Sequence, residues 1–264
     1  MNNNPYSQNQ NDYGNFNSQN SAEYMNAVNN YQAGASAGFE SLNYQRANAG
    51  LAQKVIRNSF IFMIVALLIT AYGAFSATNT FLYWLAQDSN FTIILIAELA
   101  IVLVSNVAIR KNNAILAGVL YVAYSYLTGA VMSYIFYIYT FSSIVSVFFI
   151  TAAIFAIMAV YGFVTKADLS SVGSICLMGL IGIIVASLVN VFLLQSSMFD
   201  TVICVVGVVI FVLLTAYDTQ KIKQNALYAT NQNVLTLSLC GAFQLYLDFV
   251  NIFLKLIRLF GKRR

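Results

Sequence analysis

Residues 142–164 read SSIVSVFFITAAIFAIMAVYGFV and contain no charged side chain. About 20 apolar residues are what an α-helix needs to cross a hydrocarbon core about 30 Å thick. The whole chain is 59% hydrophobic and 8% charged, whereas soluble domains are about 25% charged. The stretch therefore predicts a membrane-spanning helix.

Six further apolar runs of similar length surround this one. Each is predicted to be a helix, because an open sheet edge has no hydrogen-bond partner in lipid. In the fifth run, Gly182 and Ala186 predict close helix contact. The sequence thus predicts an all-α polytopic membrane protein with seven transmembrane helices, near 55–77, 91–109, 114–135, 142–164, 172–194, 201–220 and 234–259.

The first fifty residues have a different composition. Residues 1–50 are rich in Asn, Gln, Ser, Tyr and Gly and lack apolar periodicity, which is typical of a disordered polar tail. The transmembrane domain is then 51–264. The chain does not open with a charged segment, an apolar run and a cleavage site, so we expect no cleaved signal peptide.

Basic residues mark alternate connections between the apolar runs. Lysine and arginine favour the cytoplasmic side, so the amino terminus is predicted to be cytoplasmic and the protein to lie in the cell membrane. The carboxyl end stays open: seven full spans would place residues 262–264 outside, and a re-entrant last segment would return them to the cytoplasm. The marking residues are Lys54, Arg57, Arg110, Lys111, Lys166, Lys221 and Lys223.

Several classes of function lack the residues they need. Histidine is absent, which removes Ser-His hydrolases and histidine metal sites. Cys176, Cys204 and Cys240 lie in apolar runs without metal-ligand spacing. No phosphate loop or nucleic-acid motif occurs, so no cofactor and no nucleic-acid partner is predicted. The net charge of +4 instead predicts contacts with membrane lipid headgroups.

Three of the nine acidic residues fall inside the apolar runs: Glu98, Asp218 and Asp248. An ionised carboxylate at the bilayer centre costs at least about 2.5 kcal/mol, so such residues face a protein interior and mark ion or proton pathways. Asp248 has no lysine within one helical turn. Asp218 has Lys221 three residues later, and an interfacial ion pair is the alternative interpretation there.

The spacing of the two aspartates predicts that they meet. If the sixth helix continues past Lys221, the last two helices are expected to form an antiparallel hairpin in which residues equidistant from the turn lie at one depth. The midpoint of 218 and 248 is 233, inside the polar break 230–233. Two carboxyls in contact away from water do not readily both ionise, so the pair would share a proton. Loss of that proton would leave an oxygen-rich site suited to Ca²⁺. Asp218 and Asp248 are thus predicted to form a proton-controlled gate that binds calcium transiently.

Two arginines are candidates for a latch or an ion pathway. Glu98 and Arg110 are 12 residues apart, and Asp248 and Arg258 are 10 apart, which correspond to about 18 and 15 Å of helix. If the second and seventh helices run antiparallel, Arg110 lies near the aspartates and Glu98 meets Arg258. Alternatively, both arginines extend to the membrane interface.

Two segments carry a resemblance to a known family. TAYDTQKI at 215–222 and LYLDFVNIFL at 245–254 resemble the Bax inhibitor (transmembrane Bax-inhibitor-motif) family, in its bacterial form. The resemblance implies a seven-helix fold with a central last helix and a pH-sensitive leak in which calcium is the permeant ion. It also implies a paired-aspartate sensor at Asp218 and Asp248. The family's arginine latch resembles Arg110, and its acidic residue on the same helix resembles Glu98.

Three other functions remain open from the sequence. Tyr217-Asp218 matches half of an intramembrane aspartyl protease signature, but the rest is missing and Pro5 is the sole proline, so we expect no enzyme. A non-conducting regulator would bind a membrane protease or other membrane proteins. A proton-coupled transporter would need a substrate cavity that no sequence feature specifies.

Overall fold

The computed structural model describes residues 49–77 and 88–264. Within these ranges the chain forms seven long helices, and the prediction of an all-α protein is confirmed. A single turn, Ile135–Ile138, follows the third helix, and a π-helical turn, Asn190–Leu194, extends the fifth. The predicted tail lies almost wholly outside the described residues. The helices are α1 (Ala49–Ser76), α2 (Asp88–Arg110), α3 (Ala114–Met132), α4 (Phe141–Val164), α5 (Ser170–Val189), α6 (Ser197–Ala226) and α7 (Val234–Phe260).

Six helices in the described ranges are long and apolar enough to cross a membrane. They are α1 and α3 through α7; the spans of α3 and α5 extend to Ile138 and Leu194 and so include the single turn and the π-helical turn that follow them. The 23 residues of α2 would extend about 35 Å at the rise of an α-helix. The chain is therefore a multi-pass membrane protein, while the count of seven spans stays a prediction.

The last helix lies at the centre of the bundle, as predicted. Of the most apolar 18 residues of each helix, 67% are buried in α7 but only 11% in α5. Helices α2, α3, α4 and α6 contact α7, and α1 approaches it where Ser59 lies against Gly241. Helix α7 is the least apolar of the six spanning helices, and its polar side chains find partners in protein but not in lipid. Burial of α7 follows from that composition.

Helices α6 and α7 form an antiparallel hairpin. Residues 227–233 turn between them, and the Thr230 amide donates to Asn233 Oδ1 at 2.7 Å. Ile222 contacts Gly241 near the turn, and Arg258 donates to Asp200 at the other end. The predicted end of the sixth helix at 220 was therefore too early, because α6 continues through a polar final turn to Ala226.

Helix α7 is continuous, so its two ends lie at opposite ends of the bundle. At its start, Asn112 Nδ2 donates to the Gln232 carbonyl at 3.3 Å, beside the α2–α3 connection. Beyond its end, the Thr140 amide donates to the Lys262 carbonyl and the Arg264 amide to the Ile138 carbonyl, each at 3.0 Å. The last segment is a full-length helix rather than a re-entrant one. Residues 262–264 lie at the end opposite Lys111.

Glycines set two close helix crossings. At Gly129 of α3, a Cβ would overlap the Thr70 carbonyl of α1, and at Gly162 of α4 it would overlap the Ala216 carbonyl of α6. The predicted contact at Gly182 is wrong, because no atom lies within 4 Å of a Cβ built there. A small residue permits close approach only where another helix lies opposite, and this face of α5 is exposed.

Gln220 of α6 holds the connection between α4 and α5. Its Oε1 accepts from the Leu169 amide at 2.9 Å, and its Nε2 donates to the Ala167 carbonyl at 2.8 Å. Beside it, Asp168 Oδ1 accepts from the Ser170 hydroxyl and amide. These hydrogen bonds hold the pKa of the exposed Asp168 carboxyl below its usual value. The start of α5 is thus fixed against the carboxyl-terminal half of α6.

Candidate functional site

Asp248 lies near the middle of α7 and is 4% exposed. It follows Val234, the first residue of the helix, by about 21 Å at the usual rise. Its Oδ2 atom is buried and has no hydrogen-bond partner in the described part of the chain. A buried polar group without a partner costs free energy, so Asp248 does not serve the fold as an ordinary hydrogen-bonding residue does.

Asp218 of α6 is the acidic neighbour of Asp248. The hairpin brings the two carboxyls within range of electrostatic interaction, and Asp218 is the less buried of the two. Asp218 and Lys221 form no direct salt bridge in the described residues. Lys221 Nζ lies over the Tyr217 ring, 5.5 Å from its centroid, and stays within electrostatic range of Asp218. The structure thus places the two aspartates within electrostatic range of each other, but no hydrogen bond joins their carboxyls in the described residues.

The polar side chains beside the pair donate to backbone atoms of their own helices. Thr215 and Thr219 are buried, and their hydroxyls donate to the carbonyls of Phe211 and Thr215, each at 2.8 Å. Asn251 Nδ2 donates to the Leu247 carbonyl at 2.8 Å. These three donors are therefore not available to the aspartates, whereas the Lys221 ammonium lies within electrostatic range of Asp218. Two negative charges in such surroundings repel strongly, and the pair would titrate as one unit.

A cation at this site would find an incomplete set of ligands. Two carboxylates supply four oxygens, whereas Ca²⁺ takes 6–8. In the described ranges, no group of three or more His, Cys, Asp or Glu residues is placed to hold a metal. Water would have to supply the remaining ligands, so the chemistry of the pair fits transient binding of a hydrated cation and not long-term storage.

Glu98 is not part of the aspartate pair. It lies on α2 beside Thr128 and Tyr124 of α3, and its Oε1 is buried without a hydrogen-bond partner in the described residues. It also lies within electrostatic range of Tyr246 of α7. Two residues along a helix are about 200° apart, so Tyr246 and Asp248 face opposite sides of α7. Glu98 and Asp248 are therefore separated by the central helix.

The predicted contacts of the two arginines are wrong. Arg258 Nη1 contacts Asp200 Oδ1 at 3.0 Å, so its partner is not Glu98. Arg110 is exposed at the end of α2 and makes no ion pair in the described residues. Helix α7 runs beside α6 along its whole length, and the first turn of α6 carries Asp200. Arg258 near the end of α7 therefore meets Asp200 rather than Glu98 of α2.

A buried hydroxyl cluster was missed by the sequence reasoning. The Tyr246 hydroxyl and Thr70 Oγ1 are 2.7 Å apart, and Thr70 Oγ1 donates to the Ser125 carbonyl at 2.9 Å. Tyr246 is 0% exposed, and buried tyrosines usually find a hydrogen-bond partner. A tyrosine within the last apolar run, with a threonine in the first, was the available signal. These bonds join α1, α3 and α7 at the face opposite Asp248.

The sequence matches a family model and several curated proteins. The family described as "Inhibitor of apoptosis-promoting Bax1" matches residues 52–264. The inner membrane protein YbhL of Escherichia coli (strain K12) is 43% identical over 222 residues, covering 82% of this chain and 94% of that protein. The uncharacterized protein RP147 of Rickettsia prowazekii is 44% identical over 207 residues, covering 77% and 87%. An uncharacterized protein of Borreliella burgdorferi is 38% identical over 228 residues, covering 84% and 98%. The chain therefore belongs to the Bax inhibitor family of membrane proteins.

Proposed function

We propose that this protein is a pH-sensitive calcium leak channel gated by Asp218 and Asp248. The observation that carries the proposal is the unpartnered, buried Oδ2 of Asp248 on the central helix, within electrostatic range of Asp218. Ionisable side chains that face the interior of a membrane protein are typical of ion and proton pathways. The proposed role is conduction, and no catalytic residue is assigned.

A shared proton would keep the gate closed. When the pair holds a proton, its two carboxyls attract each other and favour close contact between α6 and α7. When the proton leaves, the two negative charges would repel; for scale, any two unit charges about 4 Å apart repel by about 4 kcal/mol at an effective dielectric constant of about 20. A divalent cation would relieve that repulsion. Calcium flux should therefore increase as pH rises through the titration of the pair.

Ions would reach the pair from the end of the bundle that carries most of the basic residues. Asp218 precedes Ala226, the last residue of α6, by about 12 Å, and it is the less buried aspartate. Lys111 and Lys223 are exposed at the same end. Because basic residues favour the cytoplasmic side, we infer that this end and the amino terminus are cytoplasmic.

Calcium flux into liposomes tests the gate. Wild-type protein should conduct several-fold more calcium at about pH 8 than at about pH 5, the interval in which perturbed carboxyls titrate. Asp218→Asn and Asp248→Asn should each flatten this dependence, because an amide does not titrate. Asp168→Asn is the matched control: this exposed carboxyl lies in the α4–α5 connection, and asparagine can still accept the amide hydrogen bond.

The outcomes separate the alternatives. Flux no greater than that of protein-free liposomes would eliminate conduction and leave a non-conducting regulator that binds a membrane protease or other membrane proteins. Flux whose pH dependence survives in both aspartate variants would retain a channel but remove the proposed sensor. A flattened response in the Asp168 variant would show that the effect is not specific to the buried pair.

A further inference from the structure

A groove of about 590 Å³ lies between α1 and α4 and opens toward the lipid. Its walls include Phe60 and Leu67 of α1 and Ala156 of α4, and its floor includes Phe155 of α4 and Phe249 of α7. Both floor residues are 4% exposed. A smaller cavity of about 120 Å³ continues from Phe249 toward Phe253. The whole lining is formed almost entirely by carbon atoms.

The groove exists because α4 presents alanines where it borders α1. Ala152, Ala156 and Ala159 recur at the three- and four-residue spacing of one helix face. Small side chains often allow helices to touch, yet here they border an open volume. Packed protein interiors contain few voids larger than a water molecule. An apolar space of this size within the membrane fits an acyl chain.

The groove is at least as long as one lipid leaflet. Along α1 it runs from Phe60 to Ala71, and along α4 from Phe163 to Phe148. The α1 portion corresponds to about 16 Å of helix and the α4 portion to about 22 Å, whereas half of a hydrocarbon core is about 15 Å. The groove is therefore long enough for an acyl chain that extends from one membrane interface to the midplane.

Basic groups lie at the interfacial mouth of the groove. Lys223 Nζ is 5.0 Å from the centroid of the Phe163 ring and donates to the Phe163 carbonyl at 2.8 Å. An ammonium has three donors, which leaves two for a further acceptor. Arg57 is exposed and precedes Phe60 by three residues, so both lie on one face of α1. This mouth is complementary to a phosphate.

We propose that the groove binds one phospholipid. Its acyl chain lies between α1 and α4 on Phe155 and Phe249, and its phosphate contacts Lys223 and Arg57. The floor residue Phe249 follows Asp248 directly in α7, so the bound chain contacts the helix that carries Asp248 at the next residue along. The site depends on the shape and charge of the groove, and would exist whether or not the protein conducts ions.

Photo-crosslinking in vesicles tests the site. The full chain is reconstituted in phosphatidylcholine vesicles containing a small fraction of phospholipid with a diazirine at the end of one acyl chain. Labelled peptides are then mapped by mass spectrometry. We expect labelling concentrated on the groove faces of α1 and α4. Ala156→Phe should abolish this labelling by filling the groove, whereas Ile157→Phe should preserve it, because Ile157 is 68% exposed and is absent from the lining.

A substitution of Lys223 tests the proposed contact with the lipid headgroup. Lys223→Gln should weaken binding of the probe, so that half-maximal labelling needs about fivefold more of it. This is the usual effect of one basic residue near a membrane surface. Lys111→Gln, at the same end of the bundle, should leave it unchanged. Equal labelling of all lipid-facing helices, or labelling that survives Ala156→Phe in protein with wild-type elution and melting, would overturn the proposal. Groove labelling that disappears as the ratio of protein to lipid is raised would also overturn it, because a second copy of the chain would then occupy the groove.

Discussion

The carboxyl group of Asp248 occupies a place that an apolar side chain would fill at lower free energy. Its environment is set by neighbours such as Leu245 and Ile252, both 0% exposed. Replacement of an unpaired buried polar group by an apolar one is often neutral or stabilising. A fold that keeps an aspartate there loses some stability.

Asp248→Leu should therefore leave thermal stability in detergent unchanged or raise it, while removing the pH response of the liposomes. Leu245→Ala, in the same helix, should lower the free energy of unfolding by about 2–5 kcal/mol, as large-to-small core substitutions do. Thermal melting of both purified variants checks this. A large loss of stability in Asp248→Leu would show that the interaction with Asp218 outweighs the cost of burying the carboxyl.

Two glycines should respond oppositely to one methyl group. Gly129→Ala places a Cβ against the Thr70 carbonyl and should destabilise the protein by about 1–3 kcal/mol through overpacking. Gly182→Ala meets open space and should be neutral, or stabilising by up to about 1 kcal/mol because alanine favours the helix. Melting temperatures in one detergent measure both. Equal effects would contradict the close α1–α3 crossing.

At the scale of elements, hydropathy located α4 and α7 to within one residue at each end but missed the polar turns at both ends of α6. The predicted run 142–164 became Phe141–Val164, and 234–259 became Val234–Phe260. The predicted run 201–220 became Ser197–Ala226. The amino-terminal extension begins after Ser196, whose hydroxyl accepts from the Phe199 amide. The last turns of α6 remain helical because their polar groups bond to neighbouring backbone, which no apolar count detects.

Gln220 is one of the polar residues near the end of α6 that bond to neighbouring backbone, and its substitution tests how much such bonds contribute to stability. Gln220→Leu removes both hydrogen bonds to the α4–α5 connection and leaves the buried Leu169 amide without a partner, at a cost of about 1–3 kcal/mol. Gln224→Leu, one turn later and exposed, is the control and should change little. Hydrogen exchange of residues 165–169, together with melting, measures the difference. Unchanged hydrogen exchange in the Gln220 variant would contradict the conclusion that Gln220 holds the α4–α5 connection in place.

The common depth of the two aspartates was predictable from the sequence, because the hairpin determines it. Counting from the turn places Asp218 and Asp248 at a common depth, because an antiparallel hairpin has one register. The arginine contacts required knowledge of which helices adjoin, and depth alone does not supply it. Arg258 was assigned to the wrong acidic residue for that reason. The hydroxyl pair of Thr70 and Tyr246, separated by 176 residues, likewise depends on a tertiary contact between the first and last helices.

At the scale of the whole molecule, continuous α7 fixes the relative position of the two bundle ends. In a background with Cys176, Cys204 and Cys240 replaced by alanine, Lys262→Cys and Lys111→Cys should react with a membrane-impermeant maleimide from opposite sides. Cells before and after permeabilisation provide the measurement, and Lys166→Cys should behave as Lys111→Cys does. Labelling of Lys262→Cys and Lys111→Cys from one side would contradict the full span of α7.

The central position of α7 also has a consequence for biosynthesis. Translation proceeds from the amino terminus, so α7 is the last of the described helices to leave the ribosome, although it supplies the axis around which the earlier ones pack. Until then, the faces that will contact it, including those of Thr70 and Ser59, meet lipid or one another. A premature stop near residue 233 would thus release a product with most of its helices and no assembled interior, a substrate for membrane quality control.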